Sequence, residues 1–527
     1  MVAFPIGKPV PTFPENAPAI GATVNAVSNT IWRTTVIVHR YLGVLGSLLM
    51  LMWFLSGIVM VYVPYPRTSE VERIRTLPPI PWAQCCRIGD GLADDDETII
   101  RARIENLNGA PTLRLQRPGR PDSTLDLAHG AALRVDEAQA RAIALEAAQR
   151  IIGRPAAITA SAQEPVDQWT IGGLQRDRPF YRFAFDDPER TNIYVSGTAG
   201  QVMHWTTSTQ RFWNWLGTIP HFIYFLDLRR NPALWSQIVI WTSLFGAVLT
   251  ALGLYLGIAQ FRRGGKVSPY RGWFYWHHIA GLMFGLFTLT WAFSGLVSMN
   301  PWGFLERQGG GEEAQLLRGQ YPKWNVVRAS LDHLRQRPVP AQDFLANAVN
   351  LDTAPFAGQL FWRATLQDGS VIRLDAAGKV AALTDTDLTQ AAQRIAGAYS
   401  IAEQGLIAQE DTYFLQRRRD NFVLPVYRVV LGDEDQTRYY LDPRTGALLQ
   451  RVDENGRWQR WLFSGLHRID FTSWLRARPF WDVIILVLLL GGAAASATAV
   501  YLAGRRIKQD VVVVSRAMRG RRRASAS

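Results

Sequence analysis

Residues 39–63 read HRYLGVLGSLLMLMWFLSGIVMVYV, and residues 277–301 read HHIAGLMFGLFTLTWAFSGLVSMNP. Laid over one another at a spacing of 238 residues, they match at His39 and His277, Gly43 and Gly281, Trp53 and Trp291, Ser56 and Ser294, and Gly57 and Gly295. Past its first residues each is free of charge for longer than the ~20 apolar residues that cross about 30 Å of hydrocarbon. Charge-free runs at Ala233–Phe261 and Val483–Gly504 make two more such spans. A second match leads into these. His221-Phe-Ile-Tyr-Phe225 and Trp235 recur 246 residues on as His467-Arg-Ile-Asp-Phe471 and Trp481, and Tyr181, Tyr194 and Gly200 recur as Tyr427, Tyr440 and Gly446 at the same spacing. Two ungapped matches in the same order point to a duplicated chain.

The expected fold is an α-helical membrane protein. Four transmembrane helices, at 31–63, 233–261, 277–305 and 480–504, form a pseudo-twofold duplicated bundle, and each half carries an α+β domain outside the membrane. Composition agrees. Of 527 residues, 48% are hydrophobic and 19% charged, fewer charges than a soluble protein usually carries. The 19 tryptophans point to membrane interfaces. The net charge is +13, but no stretch resembles a nucleic-acid module, so the basic excess is read against the lipid bilayer.

The short loops give the orientation. The link 262–276 carries Arg262, Arg263, Lys266 and Arg271 and no acid. The tail 505–527 carries Arg505, Arg506, Lys508, Arg516, Arg519 and Arg521–Arg523 against the single acid Asp510. Positive loops stay inside, so both are cytoplasmic, and an even number of spans brings the N-terminus to the same side. Segments 64–232 and 306–479 then face the periplasm of a bacterial inner membrane. The first apolar run starts too late and runs too long for a cleavable leader. Residues 1–30, rich in Pro and Ala, are expected to be poorly ordered.

Each periplasmic segment reads as a small α+β unit. Asp136-Glu-Ala-Gln139 opens a helical run to about Ile152, and Asp387-Leu-Thr-Gln390 opens its counterpart. Strand-like stretches follow at Phe180–Phe185 and Asn192–Val195, and at Val426–Leu431 and Arg438–Leu441, with alternating Tyr181, Phe183 and Phe185. Another strand-rich piece lies upstream of each helix.

A helix, then strands and an aromatic hairpin, beside spans with H-x3-G and W-x2-S-G, resembles the PepSY-associated transmembrane proteins. Their iron-uptake branch, the integral-membrane siderophore reductases, is the closer likeness. The resemblance runs from about residue 31 to 504. It implies two PepSY-like domains, two haems held between four helices, and reduction of a ferric siderophore in the periplasm. No flavodoxin-like or ferredoxin-like segment is seen, so the electron donor stays open between a quinol and a cytoplasmic reductase.

The residues point to haem on their own account. His39 and His277 lie at the cytoplasmic ends of spans one and three, and His221 and His467 near the periplasmic ends of spans two and four. A b-type haem needs two axial ligands on opposite faces, and neutral imidazole suits iron. One symmetric pair on each side makes two haem b groups, with these four histidines as iron ligands. Gly43 and Gly281 follow their histidines by one turn and leave room for a porphyrin or for close helix packing. Trp53 and Trp291 stand roughly 21 Å along the helix from His39 and His277, beside the outer haem or as interfacial anchors. Arg40 aligns with His278. Either His278 replaces His277 as ligand, or Arg40 and His278 meet the haem propionates. No C-x-x-C-H occurs, which excludes covalent c-type attachment.

Two other functions stay open: a di-haem cytochrome with a different acceptor such as a quinone, and a cofactor-free PepSY binding or regulatory protein. His129, His204 and His333 are expected at the surface. Cys85 and Cys86 are the only cysteines, either as two thiols or as a redox pair, and neither reading gives them a role.

Overall fold

The computed structural model describes residues 26–89, 92–133, 135–164, 166–172, 178–261, 267–340, 343–415 and 424–524. Expectations for residues 1–25 and for Arg262, Arg263 and Lys266 lie outside the described residues. In chain order, α1 (Ala26–Met60) is followed by β1 (Arg101–Leu107), β2 (Ala110–Gln116), β3 (Ser123–Asp126) and β4 (Ala131–Ala132). Then come α2 (Glu137–Ile152), β5 (Ile158–Glu164), β6 (Phe180–Phe185), β7 (Asn192–Ser196) and β8 (Val202–Thr206). The first half closes with α3 (Ser208–Leu216), α4 (Thr218–His221) and α5 (Pro232–Ala259). The second half runs α6 (Trp273–Ser298), β9 (Ala348–Thr353), β10 (Phe361–Leu366), β11 (Val371–Asp375) and α7 (Asp385–Ala396). It ends with β12 (Ile401–Ile407), β13 (Val426–Leu431), β14 (Arg438–Leu441), β15 (Leu448–Val452), α8 (Leu466–Arg468) and α9 (Phe480–Ala524).

Four helices are long and apolar enough to cross a membrane: α1, α5, α6 and α9. α1 packs on α9 and α5, and α6 packs on α5 and α9, so α1 and α6 stand at opposite corners of the bundle. Bare backbone lets the helices close. Phe284 of α6 and Phe54 of α1 lie against Gly491 and Gly492 of α9, where a Cβ would overlap both rings. Met50, Phe54, Leu249, Ile485, Leu489 and Ala493 form the bundle core.

Helix ends differ from the sequence reading by a few residues at α1, which stops at Met60, at α5, which stops at Ala259, and at α6, which runs from Trp273 to Ser298, and by more in two places. Residues 26–30, expected to be poorly ordered, are the first turns of α1. α9 does not stop at 504 but runs on to Ala524. Arg505 to Arg519 contains neither Gly nor Pro, and an Arg506–Asp510 pair at 2.9 Å spans one turn, so nothing breaks the helix.

Outside the bundle the segments between spans build three sheets, all on one side of it. β5–β8 form one four-stranded sheet, and β12–β15 another. On the first, Ala140, Ile143 and Ala144 of α2 bury against Phe183, Phe185, Ile193 and Val195. On the second, Leu388, Ala391 and Ile395 of α7 bury against Val429, Leu431 and Leu441. Asp136 caps α2 by accepting from Gln139 N, as its spacing predicts. α7 begins two residues before Asp387: Thr384 is the cap, and Asp387 closes a capping box as its third residue.

The third sheet is shared. Its order is β11-β10-β9-β1-β2-β3-β4, so strands from both segments meet at an antiparallel β1–β9 seam with Ile104 opposite Leu351. The upstream strand-rich pieces therefore belong to one common sheet rather than to two separate units. Charge crosses the seam. Arg101 and Arg103 of β1 and Arg363 of β10 pair with Asp352 of β9, and Asn350 donates to Glu105 at 2.7 Å. Burial pushes the Asp352 carboxyl up, but Arg103 and Arg101 outweigh it and hold it down at about 2. Cys85 and Cys86 are joined by a disulfide and buried in the core under this sheet.

Candidate functional site

Two histidine pairs face one another along the bundle, each with one member from either half. His39 on α1 and His277 on α6 have ring centroids 6.4 Å apart with planes at 34°. This link-side pair lies at the end of the bundle that carries the α5–α6 link. His221 on α4 and His467 on α8 have centroids 6.3 Å apart with planes at 77°. This domain-side pair lies under the sheets. Trp53, whose carbonyl lies 3.2 Å from His221 Nδ1, is 14 residues past His39, so the pairs are separated by roughly 20 Å along the axis.

Each ring is oriented through Nδ1. Ser56 Oγ donates to the Trp53 carbonyl at 3.1 Å, so its lone pair is free to accept from His221 Nδ1 at 3.1 Å. The same device recurs at the other member: Ser294 Oγ donates to Trp291 O at 3.1 Å and accepts from His467 Nδ1 at 2.9 Å. Thr498 Oγ1 does this for His277, donating to Ala495 O at 2.6 Å and accepting from Nδ1 at 3.1 Å. For His39 the acceptor is the Leu249 carbonyl, at 3.2 Å. A carbonyl only accepts, so Nδ1 carries the ring proton in His39, on Leu249 O, and in His221, 3.2 Å from Trp53 O; with the hydroxyl protons on their carbonyls, His277 and His467 take the same tautomer, and Nε2 is left with its lone pair. Among the described residues no Nε2 of the four has a hydrogen-bond partner.

That arrangement fits an axial pair. Metal–nitrogen bonds of about 2.0–2.1 Å to imidazoles on opposite faces place ring centroids roughly 6–6.5 Å apart. Among the described residues no group of three or more His, Cys, Asp or Glu could hold a bare ion. A lone pair of imidazoles suits a metal whose other ligands come with it, as in a macrocycle.

The link-side pair opens on a cavity of about 300 Å³. Gly43 and Gly281 line it, and a Cβ at either would meet nothing within 4 Å. Gly253 is different: a Cβ there would stand 2.7 Å from His39 Cε1, so the Cε1 edge of the ring abuts bare helix. Arg40, Arg505 and Arg506 line the same cavity. His278 also reaches it, but both its nitrogens are used, Nδ1 on Ser268 Oγ at 2.8 Å and Nε2 on the Gly257 carbonyl at 2.9 Å. Of the two neighbouring histidines, His277 is the one that faces His39.

The domain-side pair is packed by rings. Phe463 stacks on His467 at 5.3 Å, and Phe222 meets His221 edge-on at 5.3 Å. Trp291 Nε1 donates to the His467 carbonyl at 3.0 Å, which places this tryptophan beside the pair. The rings of Phe54 and Trp291 lie 5.7 Å apart at the same end of the bundle.

Sequence reasoning named the four histidines and missed what orients them. Ser56 and Ser294 were visible as the repeated serine of W-x2-S-G, whereas Thr498 and the Leu249 carbonyl carried no signal. His129 and His333 are exposed as expected. His204 is a correction, because it is 3% exposed. It stacks on Tyr194 and sits 3.0 Å from Thr68 Oγ1, since its even register on β8 turns it into the sheet.

A family model described as the PepSY-associated TM region matches residues 36–362, which include His39, His221 and His277. No curated protein matches the chain.

Proposed function

This chain belongs to the PepSY-associated TM family, and on that premise we propose that it is a di-haem membrane electron carrier that reduces a ferric siderophore. One observation carries the reading. Residues related by the sequence repeat meet twice, at 6.3 and 6.4 Å, each with an oriented ring and a free Nε2. In this reading the bundle is duplicated about a pseudo-twofold axis, the membrane is a bacterial inner membrane, and the sheets are periplasmic, in keeping with the basic link and tail.

Haem b, when bound, supplies reversible one-electron transfer. His39 and His277 would hold one haem, and His221 and His467 the other. Nδ1–H donation to a hydroxyl or carbonyl fixes each ring and raises the basicity of Nε2. Gly43 and Gly281 leave space at the link-side pair, and Arg40, Arg505 and Arg506 supply positive charge for haem carboxylates at that end. The apolar core between the pairs excludes water. The domain-side pair lies next to the sheets, where a ferric chelate docks. Electron delivery needs only closeness there, so no acid–base residue is required. Ferrous iron suits hard oxygen ligands less well, which favours release.

The purified protein should show a Soret band and reducible b-type features. Protein reduced beforehand should be reoxidised by a ferric siderophore, with ferrous iron appearing in a ferrozine trap. Reoxidation by a quinone alone would replace this with the general cytochrome reading. Absence of any Soret band would leave the cofactor-free binding reading.

A further inference from the structure

We propose that the groove between α6 and α9, on the lipid-facing side of His277, binds the head group of a membrane quinol. This rests on the haem reading only for what such binding would achieve. The groove is lined by Gly272, Trp273, Trp276, Ala280, Ala494 and Thr498 and holds about 420 Å³, within the usual range of small-molecule sites. Trp276 and Ala494 are exposed on the surface that faces lipid. The groove therefore opens sideways into the bilayer, where a lipid-tailed ring arrives without crossing water.

Its walls suit a flat ring with a hydroxyl. Gly272, Ala280 and Ala494 make a low floor between two indoles. Trp273 is pinned against Tyr501, with ring centroids 4.6 Å apart, while Trp276 is 61% exposed and adjustable. Stacking between aromatic faces holds a ring with little polar help. The one side-chain hydroxyl in the lining is that of Thr498. Its proton goes to the Ala495 carbonyl, and one lone pair takes His277 Nδ1–H. A hydroxyl oxygen has a second lone pair, which accepts from a donor only. A quinol O–H is such a donor and a quinone carbonyl is not, so the site favours the reduced form. Through Thr498 the ring would be two hydrogen bonds away from His277.

The repeat supplies the control. The positions related to this groove by the 238- and 246-residue spacings are Thr34, Thr35, Val38 and Leu42 on α1 and Val248 and Leu252 on α5. There the alanines and the threonine become Leu42, Val248 and Leu252, and His39 Nδ1 turns to the Leu249 carbonyl. Tryptophans that merely anchor a helix at the interface need neither a hydroxyl nor missing bulk beside them. Thr34 and Thr35 stand where the groove has Gly272 and Trp273, but the gap and a hydroxyl bonded to the histidine occur together only in the second half.

The test is photolabelling of the full chain in phosphatidylcholine nanodiscs with an azido-quinone, mapped by mass spectrometry and compared at equal haem content. Labelling should fall on 272–280 and 494–498, and decyl-ubiquinol should compete it away. Ala280→Leu, which restores the bulk of the other half, and Ala494→Leu, which exceeds that of Val248, should each cut labelling at least tenfold. Thr498→Val should weaken competition by decyl-ubiquinol more than by decyl-ubiquinone. Label spread evenly over the lipid-facing helices, or undiminished in both leucine variants, overturns the proposal in favour of lipid chains in the groove. The predicted pattern in a protein that binds no haem would sink the haem reading and leave the groove standing. Haem without competed label would sink the groove alone.

Discussion

His39 and His277 stand on helices long enough to cross the membrane, whereas His221 and His467 stand on turns of four and three residues outside those spans. The ring spacing is nearly the same in both pairs, at 6.4 and 6.3 Å. What differs is the source of rigidity. The link-side rings stand on long spanning helices and bond across to their neighbours, His39 to the Leu249 carbonyl of α5, which no substitution removes, and His277 to Thr498 of α9. The domain-side rings are held from outside, by serines of α1 and α6 and by stacked aromatics. Similar geometry can thus be reached from stiff spanning helices or from short turns, and the two should fail differently.

The largest effect should come from the ligands. His39→Ala and His277→Ala should each remove the same haem and keep the other, so that pyridine-haemochrome counting falls from two per chain to one. His221→Ala and His467→Ala should remove the second. Loss of both haems from any single variant would break the division into two independent pairs.

Next is crowding of the link-side ring. A Cβ at Gly253 already stands 2.7 Å from His39 Cε1, so Gly253→Leu should empty that site, as read by haem content and by the spectrum of the haem that remains. At Gly57 a Cβ would stand 3.7 Å from His221 Cε1 and 3.1 Å from the tip of Leu489, so Gly57→Ala should leave the domain-side haem bound. Equal loss in both variants would contradict the claim that the link-side ring depends on bare backbone.

These positions also show what the sequence could reveal. The histidines were legible because duplication turned one residue type into two constant spacings, and the spans because charge is absent for so long. The shared sheet was not legible. Alternation along β1 or β9 tells which face is buried but not which distant strand is the neighbour, and the charges that mark the seam, Arg103 and Asp352, read as ordinary surface residues. His278 stayed open as a replacement for His277 until Ser268 and the Gly257 carbonyl were seen to occupy its ring. The length of α9 was hidden because charge was taken as the end of a helix, when it ends only a span.

A smaller effect should follow from the borrowed bonds. Ser56→Ala and Ser294→Ala should each weaken haem retention at the domain-side pair by roughly 10–100-fold, the usual cost of removing such a partner. Competition with apomyoglobin would measure it. The link-side haem should be unmoved, and a loss there instead would reverse the comparison.

The smallest effect concerns acid. Burial holds the His204 pKa down at about 4, against 6.5 when exposed. The unfolded chain then takes up the proton first, so stability falls as pH drops from about 6.5 to about 4, by up to about 3 kcal/mol, and levels off below. His204 lies on β8, which leads through α3 into α4 and His221. Thermal melts followed in the Soret region should show the domain-side haem released earlier at pH 4.5 than at pH 7. His204→Phe should flatten that dependence, and an unchanged slope would show that the buried histidine is not its source.

The β1–β9 seam has a consequence for descent. With the duplication accepted, Ile104 and Leu351 face one another across an antiparallel contact between equivalent strands, the self-complementary form of a twofold dimer interface. Before fusion, a half-length ancestor would have met a second copy of itself there and would have donated one histidine to each shared iron. Joining the copies in one chain would have made the interface permanent and released its two sides from having to stay identical. Only after that could one half fill the space beside its link-side histidine with leucine while the other kept it open.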